Sequence, residues 1–222
     1  ILGDEPGKTL KALLAAVEIG VPLADLSATV AYAASIRLLQ FDTSNEIGDW
    51  NTVHHTFTYA NAVDQAIRRS PSKYLARAIF DGAMSVYLDR FLNVPAAPMP
   101  SFDDRAGNDT DTEILGKFDV QQNVDETADI VSNRLASGGH EAVIEAHGIA
   151  LLREDSAFPQ IHAVQAALKQ YTNFQDSRLG DHILISVARF LTAFSPTVRS
   201  SIQTYEIAAR LNRGEALHDN ES

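Results

Sequence analysis

Apolar residues recur along this chain at the three- and four-residue spacing of a helix, and this periodicity constrains the fold more than any other feature. In the first such segment, Leu10, Leu13, Leu14 and Val17 lie on one helical face, and Gly20 ends the segment. No stretch of strand length alternates between apolar and polar residues. The sequence therefore predicts an all-α fold.

The same pattern continues along the chain and predicts about nine helices. In order they are 6–19, 23–38, 49–69, 71–92, 119–135, 141–153, 157–174, 181–194, and a last helix that opens at Ser195-Pro196 and runs to about residue 213. Ser70-Pro71 and Ser195-Pro196 resemble capped helix starts, because proline at the first helical position gives up no backbone hydrogen bond. Asp4 is the expected cap of the first helix.

Residues 94–112 are rich in Pro and Asp, cannot hold a helix and form the one credible linker. They divide a single all-α domain, 1–222, into substructures 1–93 and 113–222. The order of the helices suggests two four-helix units related by a pseudo-twofold axis, followed by a C-terminal helix. Amphipathic helices also align by pattern alone, so both a true duplication and a chance likeness stay open.

Composition excludes several classes of function. The chain has 29 acidic and 18 basic residues, a net charge of −11, and no cysteine. Such a surface repels nucleic acid and anionic membranes. The lack of thiols excludes disulfides, thiolate zinc sites and cysteine nucleophiles. We expect a cytoplasmic protein, without a membrane segment, that can form a homodimer; the first residue, Ile1, suggests a fragment or a processed product.

The most unusual segment begins at Asp49. Trp50, His54, Phe57 and Asn61 share one helical stripe with Asp64, and the aromatic residues indicate that this stripe is buried. A buried polar group without a partner costs on the order of 1–3 kcal/mol. We therefore expect His54 to be mostly buried and either hydrogen-bonded or bound to a metal.

Three interpretations of this stripe stay open. His54 and His55 are candidate metal ligands, because neutral imidazole binds transition metals. Alternatively, His54 is a general base that Asp64 or Asp81 orients. In the third interpretation, His54 and Asn61 only form hydrogen bonds between helices.

Two aspartates follow on the next helix. Asp81 lies in the apolar sequence 78–84, where a carboxylate needs a cation, a metal or a helix N-terminus. It is therefore a candidate catalytic or charge-balancing residue. Asp89 is expected to form an ordinary surface ion pair with Arg90 or another base.

The second half of the chain contributes His147 and His162 as candidate metal ligands, each with apolar neighbours. A pseudo-twofold axis would bring His162 towards His54 or His55 at one central ion. The rings would then lie roughly 3–4.5 Å apart, with Asp81 or Glu145 balancing the charge. The paired motifs of ferritin-like and HExxH metal sites are missing, as are phosphate-binding loops.

Segments 49–69, 86–95, 151–155, 188–191 and 195–197 together resemble a helical region of bacterial proteins that also carry a Rieske-type ferredoxin module. That family has no assigned activity. The resemblance implies a redox context and a redox partner protein. This chain lacks the Cys and His pairs of a Rieske cluster, so such a module would belong to another chain.

These observations predict a metal-dependent oxidoreductase, or a subunit of one, that acts on a small molecule of unassigned identity. The candidate ion is non-haem iron or another divalent metal. The candidate catalytic residues are His54, Asp81 and Asn61, and the candidate metal ligands are His54, His55, His147 and His162. Two alternatives stay open: a non-catalytic all-α interaction domain, and a cofactor-free enzyme that uses His and Asp for acid–base chemistry.

Overall fold

A computed structural model describes residues 1–102, 111–175 and 177–215. Within these ranges the chain forms ten α-helices and no β-strand, which confirms the all-α prediction. The helices are α1 Pro6–Glu18, α2 Leu23–Leu39, α3 Ile47–Arg69, α4 Lys73–Asp89, α5 Asp111–Lys117, α6 Val124–Ala136, α7 His140–Arg153, α8 Phe158–Tyr171, α9 Arg178–Ala193 and α10 Ser200–Asn212. None of the helices described here is both long and apolar enough to cross a bilayer.

The sequence does not predict helix α5. It begins at Asp111, inside the segment 94–112 that was expected to hold no helix. The next helix, α6, starts at Val124 rather than at residue 119. Gln122 has a φ of 57°, a left-handed conformation that interrupts a helix at this point. Residues 103–110 of the predicted linker lie outside the described residues.

Three predicted helix caps are wrong. Ser72, rather than Ser70, caps α4, and its hydroxyl accepts a hydrogen bond from the Leu75 N–H at 3.2 Å. Ser195 starts no helix, since its hydroxyl donates to the carbonyl of the preceding α9 at 3.0 Å. Asp4 does not cap α1 but forms an ion pair with Arg90 at 3.0 Å. Asp4 is held by a partner that is distant along the chain, whereas Ser72 and Ser195 bond to residues three and four positions away.

Helices α2 and α9 lie at the centre of the molecule and pack against each other. Helix α2 also contacts α3 and α4, and α9 also contacts α6 and α8. Most residues of both helices are buried, because each helix packs against several neighbours. Alanines such as Ala31 and Ala34 have no exposed surface, which indicates that small side chains let the neighbouring helices approach closely.

Contacts within the two halves correspond. Helix α1 packs on α4 and α2 on α3, while α6 packs on α9 and α7 on α8. Helices α3 and α8, which a pseudo-twofold axis would exchange, contact each other directly. Packing of this kind is compatible with two related units, and their origin by duplication stays a prediction. The contact between α3 and α8 brings the helix that carries His54 and His55 next to the helix that carries His162.

Candidate functional site

The polar and aromatic stripe of α3 is buried, as the sequence predicts. Trp50, His54, Phe57, Asn61 and Asp64 each have at most 5% of their surface exposed. Asp64 of this face bonds to α2, Asn61 bonds to α8 and His54 stacks on α9. Helical periodicity therefore identified the correct set of side chains.

His54 is fully buried, which confirms that part of the prediction. Its ring stacks on Phe190 of α9, with centroids 4.6 Å apart and planes inclined by 13°. Neither ring nitrogen forms a hydrogen bond with a described residue. The carbonyl of Pro159 favours the protonated ring, but the contact lacks the geometry of a hydrogen bond. The expected partner of His54 is thus not found in the described part of the chain.

Burial lowers the pKa of His54 to about 4, and the charges of His55 and His162 add to this effect. The ring is therefore neutral at neutral pH. A neutral imidazole is the form that accepts a proton or binds a metal.

His55 and His162 line one open groove between α3 and α8, together with Tyr59, Asn61 and Gln165. Both histidines are exposed. The ring of His55 lies 5.2 Å from that of His54, centroid to centroid. His162 thus lies on the same side of the molecule as His54 and His55, as the pseudo-twofold argument predicts.

These side chains do not assemble into a metal centre. Among the described residues, no group of three His, Asp or Glu side chains is arranged to hold an ion. His147 is fully buried on α7 beside Val143 and Ala146, and burial is the one cause acting on its pKa. His147 is absent from the residues that line the groove. The four predicted ligands therefore do not converge.

The carboxylates expected beside His54 lie elsewhere. Asp81 is exposed, so its predicted apolar setting is wrong. It lies close enough to Tyr59 to help raise the pKa of that hydroxyl, to which burial contributes more. Glu145 is also exposed. Asp64 follows His54 by ten residues, or roughly 15 Å of helix, and cannot orient its ring.

Asp64 instead centres a buried network that joins three helices. Its carboxylate accepts hydrogen bonds from Ser27 at 2.7 Å, Arg68 at 3.0 Å and Gln170 at 3.0 Å. Asn61 accepts from the same Gln170 at 3.0 Å. The interpretation of Asn61 as an interhelical hydrogen-bonding residue is correct, although its partner is Gln170 rather than His54.

Asp89 is a second buried carboxyl, although the sequence predicted it at the surface. It is 4% exposed, and Arg90 pairs with Asp4 instead. Burial raises the pKa of Asp89 to about 6, against the opposing effects of the Thr56 hydroxyl and the Arg37 charge. The expected surface ion pair with Arg90 is therefore wrong.

A pocket of about 250 Å³ lies between α3, α7, α8 and α9. Its walls come from three stretches of sequence that are distant along the chain. The lining residues are Asn51, Ala150, Glu154, Asp155, Ser156, Ala157, Pro159, Gln160, Leu191, Phe194, Ser195 and Thr197. His54 lies behind this wall, because Pro159 borders the pocket and Phe190, on which His54 stacks, packs against Phe194.

The acidic side chains of the pocket are engaged by partners within the protein. Glu154 accepts hydrogen bonds from Arg153 at 3.0 Å, from Arg199 at 3.0 Å and from the Thr197 N–H at 2.8 Å. Burial tends to raise the pKa of Glu154, but the hydrogen bonds from Arg199 and Thr197 outweigh it and hold the pKa below its usual value. Glu154 is therefore a structural carboxylate.

Asp155 fixes the start of α10. Its carboxylate accepts from the Ser200 N–H at 3.0 Å, the Ser200 hydroxyl at 3.0 Å and the Ser201 N–H at 3.3 Å. The bond from the Ser200 N–H is the main reason that the pKa of Asp155 is lowered. Both oxygens of this side chain are thus occupied.

Asn51 differs from these groups. Asn51 lines the pocket, and its side-chain Oδ1 is buried and has no hydrogen-bond partner among the residues described. Sequence reasoning missed Asn51, since an asparagine in the first turns of a helix is an ordinary polar residue. Only the approach of residues 150–160 and 191–197 turns it into part of a site.

Comparison of the chain with protein-family models, curated proteins and solved structures finds no match. The resemblance to a Rieske-associated helical region therefore stays an expectation. The proposals below depend on the geometry of the chain alone.

Proposed function

We propose that this protein binds a small, mainly apolar molecule in the pocket between α3, α7, α8 and α9. The observation that carries the proposal is a pocket of about 250 Å³ whose walls are mainly apolar. An apolar protein cavity of about 150 Å³ suffices to bind benzene. The pocket thus suits a molecule larger than benzene, such as a fused bicyclic compound.

The character of the walls supports an apolar ligand. Ala150, Ala157, Pro159, Leu191 and Phe194 are apolar residues of the lining, and Ala150 and Leu191 belong to the buried core. Burying apolar surface of a ligand contributes roughly 25 cal/mol per Å². Pockets that combine such walls with few polar groups are the usual sites for small molecules.

Naphthalene is a suitable probe, and its binding can be followed by changes in the protein's amide NMR spectrum. The wild-type chain should bind it saturably. Ala157 is exposed and borders the pocket, so Ala157→Trp should obstruct the pocket and lower the affinity at least tenfold. Ala15→Trp, at an exposed position of α1 away from the pocket, is the matched control and should bind as the wild type does.

Two results would contradict this proposal. One is the absence of saturable binding by the wild-type chain up to the solubility limit of naphthalene. The other is equal binding by Ala157→Trp and Ala15→Trp, because the probe would then occupy another part of the surface. Thermal unfolding is the control that checks whether both variants remain folded.

A second proposal follows from the groove between α3 and α8. We propose that His55 and His162 weakly bind a divalent transition metal. Such binding is the first requirement of the predicted metal-dependent oxidoreductase. The observation that favours it is that His55 and His162 line the same groove and both act on His54. Two imidazoles would leave the remaining coordination positions to solvent or substrate.

Calorimetric titration with Zn²⁺ tests the metal proposal. Binding of one ion per chain is expected, and His162→Gln should abolish it. His140→Gln is the control, because His140 lies at a different site, bonded to Asp181 at 2.8 Å. Unchanged binding by His162→Gln would exclude the groove as a metal site.

A further inference from the structure

We infer that the protein forms a weak homodimer in which the α10 helices of two copies pack against each other, antiparallel, about a twofold axis. This inference does not depend on the proposed function. The starting observation is that α10 contains no buried residue, although it is 13 residues long. A helix of this length is marginal in water on its own, because packing supplies most of the stability of helices in proteins.

One side of α10 faces the rest of the chain. Ile202 and Ala209 are the two half-buried residues of this helix, and they are seven residues apart, which places them on the same face. Asp155 holds the N-terminal end of the helix through Ser200. The inner side of α10 is therefore covered by contacts within one chain.

The opposite, outer side of α10 carries apolar residues. At about 100° per residue, Ile207 lies roughly 140° around the helix from Ile202, and Leu211 lies roughly 160° from Ala209. Ile207 is 46% exposed and Leu211 is 54% exposed. An ordinary surface helix turns polar residues outwards. Apolar residues four apart on the outer side are instead typical of a helix that packs against a further helix.

The charge of this surface favours a second copy of the chain as the occupant. Each copy has a net charge of −11, so two copies repel each other over most of their surface. The outer face of α10 contains no charged residue and consists of Ser200, Gln203, Thr204, Ile207, Ala208 and Leu211. Self-association is therefore opposed least at this face.

The two charged residues of α10 match each other across an antiparallel pair. Glu206 and Arg210 lie four residues apart on one flank of the outer face. A twofold axis between Ile207 and Ala208 brings Glu206 of each copy to within one residue, about 1.5 Å, of the level of Arg210 in the other copy. Two equivalent ion pairs result. In a parallel pair, this flank would face the uncharged flank of the other helix and form no ion pair.

Arg210 can change partners at little cost. Within one chain it pairs with Glu215 at 3.3 Å, and both side chains are about half exposed. Glu215 also pairs with Arg213 at 2.6 Å, so it keeps a partner when Arg210 turns to the other copy. Exposed ion pairs contribute little to stability, and the exchange is therefore close to neutral for the single chain.

The size of the face determines how strong the dimer is. A helix of 13 residues is about 20 Å long and roughly 10 Å wide. The outer face is thus well below the roughly 800 Å² that each partner contributes to a standard stable interface. The dimer should therefore be weak, and the monomer should predominate in dilute solution.

Sedimentation velocity over a concentration series from about 10 μM to about 1 mM tests the inference. The mean mass of the wild-type chain should rise towards twice that of one chain. Leu211→Glu should stay monomeric over this range, because it places a carboxylate in the outer face of each copy. Leu14→Glu, on α1, is the matched control, because Leu14 is 52% exposed and Leu211 is 54% exposed. This control should dimerise as the wild type does.

Exchanging the two charges tests the antiparallel arrangement. Glu206→Arg alone should weaken the dimer severalfold, because like charges then face each other, even though the net charge of each copy becomes less negative. Adding Arg210→Glu should restore the wild-type affinity, since the ion pairs form again with their charges exchanged. The double variant also has the wild-type net charge of −11, which excludes a change in overall repulsion as the cause.

Three results would overturn the inference. The first is a wild-type chain that stays monomeric throughout the series. The second is equal dimerisation of Leu211→Glu and the wild type, which would place the interface on another surface. The third is a double variant that dimerises no better than Glu206→Arg, which would exclude the antiparallel pair. All substituted positions are exposed, and circular dichroism checks that each variant keeps the helical content of the wild type.

Discussion

His147 lies on the buried face of α7, and neither of its ring nitrogens bonds to any described residue. Burial lowers its pKa to about 4. In the unfolded chain a histidine has a pKa near 6.5. The fold therefore disfavours the protonated ring, and its stability is complete above about pH 6.5 and falls as the pH drops from there towards 4.

Replacing His147 by Leu should remove this pH dependence. Between pH 7 and pH 5 the free energy of unfolding of the wild-type chain should fall by on the order of 2 kcal/mol more than that of His147→Leu. Urea unfolding at both pH values measures the difference. A parallel decrease in both proteins would show that His147 is not buried as a neutral ring.

Asp89 affects the pH dependence of stability in the opposite direction to His147. Burial raises its pKa to about 6 in the folded protein, above the ordinary value of about 3.9 for an aspartate. The folded state therefore takes up a proton more readily than the unfolded one. The contribution of Asp89 to stability improves as the pH falls through 6, because its charged form is the one that burial disfavours.

We expect Asp89→Asn to stabilise the protein at pH 7 by on the order of 2 kcal/mol, and by roughly 1 kcal/mol less at pH 5. The same unfolding measurements apply, with Asp81→Asn on the exposed side of α4 as the control. Destabilisation by Asp89→Asn at neutral pH would mean that the interaction with Arg37 outweighs the cost of burial.

Among the helices, α10 depends least on the core. It has no buried residue. Two consecutive carboxylates anchor its N-terminal side, Glu154 through Thr197 and Arg199, and Asp155 through Ser200. Arg199 has a φ of 56°, in the left-handed region, and its ion pairs with Glu154 and Asp119 hold that backbone conformation in place. Polar contacts rather than apolar packing thus fix this helix.

Removing the anchor should loosen α10 alone. In Asp155→Ala, amide hydrogen exchange in α10 should become severalfold faster, because its first N–H groups lose their acceptor. Exchange in the buried helix α9 should stay unchanged. Equal acceleration in both helices would show that Asp155 supports the whole fold, and unchanged exchange in α10 would show that other contacts hold it.

At the scale of the whole molecule, periodicity predicted what depends on local sequence. The all-α class, the extent of α3 and the burial of its stripe follow from apolar spacing, which a helix converts directly into a face. Asp89 could not be placed in this way, because its burial comes from other helices that cover the end of α4. The start of α10 was misplaced for a similar reason, since Asp155 lies 45 residues before Ser200.

The pocket depends on contacts that no local pattern contains. Asn51, Ala150 and Leu191 come from three helices and meet only after the core has packed. The histidines in the sequence predicted a site between α3 and α8, and His55 and His162 do line the groove between these helices. The pocket beside Pro159 and Phe194 had no such marker in the sequence.

A crystal structure of the wild-type chain soaked with 6-bromo-2-naphthol tests the central claim most directly, because bromine marks the ligand by anomalous scattering. The account predicts a bromine peak in the pocket bounded by Ala150, Leu191 and Phe194. A peak in the groove beside His55 and His162, or an empty pocket at saturating ligand, would contradict it.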